Sequence, residues 1–370
     1  MNRRQWLGGA LGLAGGALTG CALERGDFEF DAAVTRSDRP DLRARHFASL
    51  QSAIDAAPAA GTKPFRIFVG AGEWREKVIV TQPNVHLIGE DRAGSALVFD
   101  AAAGDPGPDG KPLGTWGCAS VVVRAPGFAA RNLTIRNGFD YVGNLLHPRF
   151  QEIGPNGAQA VALMLAAGSD RAAFADVTIT GHQDTLFADR GRSHFRRCRI
   201  EGSVDFIFGG GTALLESCDI HSRYRPGKER QGYLAAPSTP REREFGVTFE
   251  SCRLVREPQI AAGTVALGRA WRPTRPFPDG TYGDPDALGA AVFLRCWMDD
   301  HIAADGWDAM NYRARDGNRV ALAPGEARFF EYASEGPGAL ESAHRRRLSA
   351  AQAQRYTVDR ILDGWRPAVA

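Results

Sequence analysis

The sequence predicts an all-β fold, a parallel β-helix wound as one long stack of short strands, and three observations predict it. The 43 glycines and 21 prolines of the 370 residues are scattered without a Gly-X-Y period, the composition of a chain with many turns joining short strands. A phrase of the form aromatic-x-x-Cys/Val-x-Ile recurs at Phe174, Phe195, Leu215, Phe249 and Phe293, with a fainter copy from Ala130 to Ile135. Two-residue turns of the Asn-Gly type, which a sandwich of hairpins would want between adjacent strands, are scarce. The closest copies of the phrase follow one another at about 21 residues and the wider intervals fit skipped coils or loop insertions. Each phrase alternates apolar and polar residues as a strand does. So short a unit cannot bury its face alone, but stacked coils pair every strand and share one core. The charge balance, 45 Lys and Arg against 43 Asp and Glu with 44% hydrophobic residues, excludes a disordered chain and a nucleic-acid specialist.

From the N-terminus, Arg3 and Arg4 precede an uncharged Gly/Ala/Leu stretch from Leu7 to Leu18 and then Leu18-Thr19-Gly20-Cys21. This reads as an export signal over 1–20, too short to span a bilayer. Its last residues resemble a lipoprotein cleavage box with Cys21 as the acylated residue. Residues 21–45 are expected as a linker and 46–370 as one catalytic domain. Phe47, Leu50, Ile54 and Ala57 have helical spacing and stop at Pro58, which suggests an amphipathic helix over the open end of the stack. At the other end Ser349-Ala-Ala-Gln352 is a capping-box start, followed by Ile361, Leu362 and Trp365 as apolar cover. The run Arg345-Arg346-Arg347 is expected to be a solvated face.

Stacking brings equivalent positions of successive coils to about 4.8 Å. Cys198 and Cys218 are one coil apart, so in an exported protein they are the expected disulfide. Cys252 and Cys296 fit buried small residues of the same ladder, and Cys118 is off it. No Cys-x-x-Cys spacing marks a zinc site, and no metal is expected.

Two phrases set a carboxylate inside an apolar strand, Gly181-His182-Gln183-Asp184-Thr185-Leu186 and Val204-Asp205-Phe206-Ile207-Phe208-Gly209. One coil of separation would stack Asp184 beside Asp205, where both do not easily ionise together. Such a pair suits acid–base work. Spacing alone also admits turn aspartates satisfied by backbone N–H groups.

These phrases, with Gln159-Ala160-Val161-Ala162-Leu163, Leu267-Gly268-Arg269-Ala270-Trp271 and Gly72-Glu73-Trp74-Arg75-Glu76, resemble in order the motifs of the pectin methylesterase family in its bacterial branch, over roughly Phe47 to Trp365. The resemblance implies a single-stranded, right-handed parallel β-helix that hydrolyses methyl esters of galacturonate in pectin. It implies Asp205 as the nucleophile, Asp184 as the acid and then base, and Arg269 as the cation that keeps Asp205 ionised. Gln159 and Gln183 would donate to the oxyanion. By matching position, Trp271 and Thr115 would contact substrate, and Val204, Phe208, Thr274 and Met310 would wall the groove. Departures are Trp74 for tyrosine, His182 for tyrosine or asparagine, and Ala270 for proline, the last expected to loosen the segment holding Arg269 and Trp271. No Gly-x-Ser-x-Gly motif accompanies His182, which is read as a groove residue.

Polysaccharide lyases share this architecture but use clustered acidic residues on Ca²⁺, and no such cluster is evident. Asp299-Asp300-His301 superficially resembles the paired aspartates of polygalacturonases, whose other phrases are missing. The alternative function is a related esterase or thioesterase on another acyl substrate of the cell envelope. No cofactor is implied, since side chains supply nucleophile, acid and donors. The expected partners are pectin or methylated oligogalacturonides and a membrane through the lipid anchor alone, with no nucleic acid, for a monomer. The expected location is the envelope of a Gram-negative bacterium, at the outer membrane or in the periplasm, or outside the cell.

Overall fold

The computed structural model describes residues 29–37, 39, 41–147 and 157–367. The export signal and Cys21 lie outside the described residues. Three sheets run along the molecule, one of eleven strands and two of eight. Each coil gives one strand to each sheet in turn. Ala172–Ala175, Thr178–Thr180 and Leu186–Ala188 make one coil, and Arg192–Arg196, Arg199–Gly202 and Ile207–Gly209 make the next. Strands of successive coils pair in parallel and in register, so Phe174 lies beside Phe195 and Ile179 beside Ile200. The fold is a parallel β-helix.

The recurring phrase is a corner rather than one strand. Its third residue, Asp176, Arg197, Ser217, Ser251 or Arg295, has φ between 50° and 56°. That left-handed residue swings the chain from the eleven-stranded sheet into the second sheet, at a cost of about 1 kcal/mol for a non-glycine residue that the hydrogen bonds of the flanking strands offset. Inside, the phrase's aromatic residues stack at 4.6 Å for Phe174 and Phe195 and 4.2 Å for Phe249 and Phe293, with rings within 7° of parallel. The cysteines form the next column, all buried. The bridge expected between Cys198 and Cys218 is not present: both are free thiols. Each sulfur in the ladder has an acceptor of its own, the carbonyl of the phrase's first residue one coil earlier, Phe174 for Cys198, Phe195 for Cys218, Leu215 for Cys252 and Phe249 for Cys296.

The first end is capped as expected, with a shorter helix. Leu50–Asp55 begins at Ser49, whose side chain accepts from Ser52 N, and buries Leu50, Ala53 and Ile54. Glu76, from the Gly-x-Trp-x-Glu phrase, accepts from Leu50 N at 2.8 Å and Gln51 N at 3.0 Å, so its carboxylate sits on the helix's free N–H groups and positive dipole end. Phe47 belongs to the strand Arg45–Phe47 instead. The expected linker is partly structured: Ala32–Val34 is a fully buried strand paired to Ile67–Val69 on one side and to the edge strand Arg45–Phe47 on the other, where small apolar residues fit.

The C-terminal segment lies elsewhere than expected. Ser349 and Gln352 do form the capping box of Ala350–Ala353. Yet Ile361, Leu362 and Trp365 pack on Leu214 and Phe245, and Ala353 on Val292 and Leu294. Leu214 alternates with the inward Leu215, so these helices cover the outer face of the eleven-stranded sheet. Arg345 is not solvated either. It is buried against Glu331 (Nε–Oε1 2.8 Å, Nη2–Oε2 2.5 Å) and donates to Gly338 O at 2.8 Å, since a buried guanidinium needs each N–H satisfied.

Candidate active site

The coils that carry Asp184 and Asp205 turn from the second sheet to the third in only a few residues. Neighbouring coils place long insertions there or just beyond the third sheet, among the described residues 100–120, 138–147 with 157–162, 223–231, 270–289 and the hairpin of Met310–Arg313 with Arg319–Leu322. Short coils between long ones leave a cleft of about 1110 Å³ whose floor is those two coils. Thr115, Gln159, Gln183, Asp184, Val204, Asp205, Phe208, Arg269, Trp271, Thr274 and Met310 all line it. The sequence places them on six different coils, and the stacking brings every one to the same opening.

Asp184 and Asp205 occupy equivalent corner positions, with φ of 63° and 49°. Asp is among the residues that tolerate this conformation best. Asp184 N donates to Val204 O at 3.0 Å, and Leu186 pairs with Ile207, which fixes one carboxylate beside the other. Both are nearly buried, at 3% and 9% exposure. The environments divide them. Arg269, at the end of the strand Val265–Arg269, holds Asp205 by two parallel bonds, Nε to Oδ1 at 2.9 Å and Nη2 to Oδ2 at 2.7 Å. Burial disfavours the Arg269 cation, but Asp205 outweighs it and the guanidinium pKa is raised. Its Cζ lies 3.8 Å over the Tyr233 ring, a cation–π contact that sets its plane. Asp184 has no such partner among the described residues. Burial, then the neighbouring Asp205 charge, push its pKa well above the usual carboxylate value despite Arg269. Asp184 is thus pushed towards its protonated form beside a carboxylate held in an ion pair.

The glutamines line the same cleft. Thr115 Oγ1 donates to Gln159 Oε1 at 2.5 Å. The amide oxygen is thereby occupied and the NH₂ end is left for the cleft. Thr115 belongs to the one-turn helix Gly114–Gly117, whose last carbonyl accepts from Lys77 Nζ. Cys118 Sγ reaches Thr115 O at 3.5 Å and Gln159 O at 3.6 Å. Burial pushes the Cys118 thiol up to about 11, so it acts as a neutral donor. Buried Asn137 ties the insertions together, donating to Ala101 O, Cys118 O and Val161 O. Nothing in the sequence reading singled out Asn137, Tyr233 or Lys77. For Asn137, a polar residue at the end of an inward-alternating strand was the available signal.

Aromatic rings cross the cleft floor. Trp116 meets Phe187 at 4.7 Å, Phe187 stacks on Phe208 at 4.1 Å, and Trp271 meets Phe208 edge-on at 5.7 Å. His182 stacks on Tyr141 at 4.8 Å and 12°, and burial lowers its pKa to about 3, so it is a neutral wall. Ala270 does not loosen its segment. It is buried, and Trp271 N bonds Pro237 O at 3.0 Å.

A sequence profile described as Pectinesterase matches residues 43–365. The chain belongs to the pectinesterase family. It is 42% identical over 344 residues to Pectinesterase A of Dickeya dadantii, covering 92% of each protein. Among solved structures it is similar to a pectin methylesterase from Erwinia chrysanthemi, with a TM-score of 0.87 at 41% identity over 92% of this chain and 99% of that one. The pectin methylesterase from Yersinia enterocolitica matches with a TM-score of 0.82 at 42% identity over 86% and 99%. As a pectinesterase the chain is a carboxylic ester hydrolase, and the split carboxylate pair is suited to that chemistry.

Proposed function

We propose that this pectinesterase releases methanol from the methyl esters of galacturonate residues in pectin through a covalent intermediate on Asp205. The single observation that carries the reading is the two-bond clamp of Arg269 on Asp205 beside a buried, unclamped Asp184. An Oδ of Asp205 attacks the ester carbonyl carbon at C6 of the sugar. The carbonyl electron pair moves to oxygen, where the NH₂ groups of Gln159 and Gln183 donate, each worth about 3 kcal/mol at the transition state. As the tetrahedral intermediate collapses, the C–O bond to the methoxy group breaks and Asp184 gives that oxygen its proton, so methanol leaves. Asp184, now a carboxylate, takes a proton from water, whose hydroxide attacks the sugar acyl carbon. Collapse frees Asp205 and the galacturonate acid and leaves Asp184 protonated. The bound ligand in a solved relative, a pectin methylesterase in complex with a hexasaccharide, supports a polymer or oligomer in the cleft. The aromatic floor suits sugar rings and methyl groups.

The test is methanol release from highly methylated pectin by residues 22–370. Asp205→Asn and Asp184→Asn are each expected to lose at least about three orders of magnitude in kcat. Methanol released at the wild-type rate by either variant would sink the assignment. For export, we carry forward Cys21 as the acylated residue. Cys21→Ser is expected to move the full chain from the membrane fraction to the soluble fraction, and unchanged fractionation would refute the anchor.

A further inference from the structure

Arg269 is held in two ways that differ in kind. One is its clamp on Asp205, through Nε at 2.9 Å and Nη2 at 2.7 Å. The other is the ring of Tyr233, over which its Cζ lies at 3.8 Å. Tyr233 belongs to the strand Gly232–Pro237 and pairs in register with Ala266 of Val265–Arg269. The two backbones run so close that a Cβ on Gly268 would strike Ala235 O, and this approach lays the guanidinium on the ring. Tyr233 N donates to Ser203 O at 3.0 Å, two residues before Asp205, so ring and nucleophile are mounted on adjoining coils. Burial raises the pKa of the Tyr233 phenol, which leaves a neutral ring whose π face attracts a cation.

The reaction takes away the first of these holds. While the galacturonyl group sits on Asp205, that side chain is a mixed anhydride without charge, and Arg269 has lost its counter-ion. Asp184 has by then given its proton to the methoxy oxygen and is a carboxylate in the same cleft. Burial and Asp205 raise the Asp184 pKa and Arg269 opposes them, so a guanidinium drawn further onto Asp184 would weaken it as the base that activates water. Asp308, the register partner of Arg269, faces Arg230 at 3.8 Å. We propose that Tyr233 is a positioning residue for the second half of the reaction, its ring holding Arg269 in place while Asp205 is acylated. The inference rests on the function proposed above. Hydroxide adds to the sugar acyl carbon, the bond from that carbon to Asp205 Oδ breaks, and its electron pair stays on Asp205, opposite the waiting guanidinium. The first half of the reaction starts with the Asp205 carboxylate present to fix Arg269, so it depends less on the ring.

Pre-steady-state methanol release from highly methylated pectin tests this in the complete enzyme. Tyr233→Leu is expected to release a burst of about one methanol per active site and then to settle at a rate roughly tenfold below the wild type. Its KM should fall with kcat and leave kcat/KM nearly unchanged, because a slow second step lets the acyl-enzyme accumulate. Tyr233→Phe, which keeps the ring, should recover most of the steady rate. A fall in kcat/KM without a burst, as a merely structural role would give, or rates equal to the wild type, would overturn the proposal. Where a thermal melt shows that Tyr233→Leu does not fold, Tyr233→Met fills the space without a ring and carries the same expectation. A second readout needs no turnover. In crystal structures of Asp205→Asn and of Asp205→Asn with Tyr233→Leu, both without the Asp205 charge, Arg269 should stay over the ring in the first and leave its place in the second. The same Arg269 position in both counts against the ring. Should the wild type release no methanol from pectin, the proposed function fails, while the two structures still decide whether Tyr233 holds Arg269.

Discussion

Asp184 is where function and stability conflict most directly. Its folded pKa is raised above 3.8 by burial and by Asp205, so the folded protein holds a proton that the unfolded chain releases. Between 3.8 and the raised value the unfolded state binds fewer protons, and stability falls as pH rises through that window. Asp184→Asn removes the conflict. It should raise the melting temperature at neutral pH while abolishing turnover, and the gain should shrink as pH falls towards 3.8, as thermal melts across pH would reveal. The wild-type kcat should in turn decline as pH climbs through the raised pKa, because the acid form disappears. Thr115 is expected as a substrate contact, and its hydroxyl also fixes the Gln159 amide. Thr115→Val is expected to cost about tenfold in kcat with little change in KM, since an unheld amide presents its donors only part of the time. Thr115→Ser should restore most of the rate. A larger effect on KM than on kcat would make substrate contact, rather than positioning of Gln159, its main role.

At the scale of the element, the corner explains why the repeat could be read while the placement of the insertions could not. The phrase repeats because its aromatic, cysteine and isoleucine positions point inward in every coil, and burial constrains them alike. Its third residue varies between Asp, Arg and Ser because only the backbone angle matters there. The insertions have no period. Their placement depends on which coil they leave, so Trp116 and the hairpin arginines were invisible beforehand. The end helix was legible from apolar spacing, but its cap was not. Glu76 lies 26 residues from Leu50 and reaches it through the stack. Glu76→Ala is expected to cost about 2 kcal/mol, two charge-assisted backbone bonds and a dipole contact. Denaturant titration gives the loss, and activity well below the melting point should persist. A melting curve matching the wild type would mean that water replaces the carboxylate.

Over the whole molecule, one continuous core runs from Ala32 to Phe329, so coils stabilise their neighbours and the cleft is held from both sides. By itself the sequence determined the coil length, the inward columns, the pairing of Asp184 with Asp205 and the family, because each is a local pattern that a parallel stack repeats. Only the tertiary structure decided how deeply Asp184 is buried beside Asp205, and that Arg269, 64 residues after Asp205, closes on it with two bonds. It likewise decided that Arg345 is buried, that the C-terminal helices cover a sheet face, and that Arg313 confronts Arg319 beside the cleft. The physical reason is common to all of these. A side chain's charge, burial and partners are set by what other coils bring against it, and those neighbours are far away along the chain.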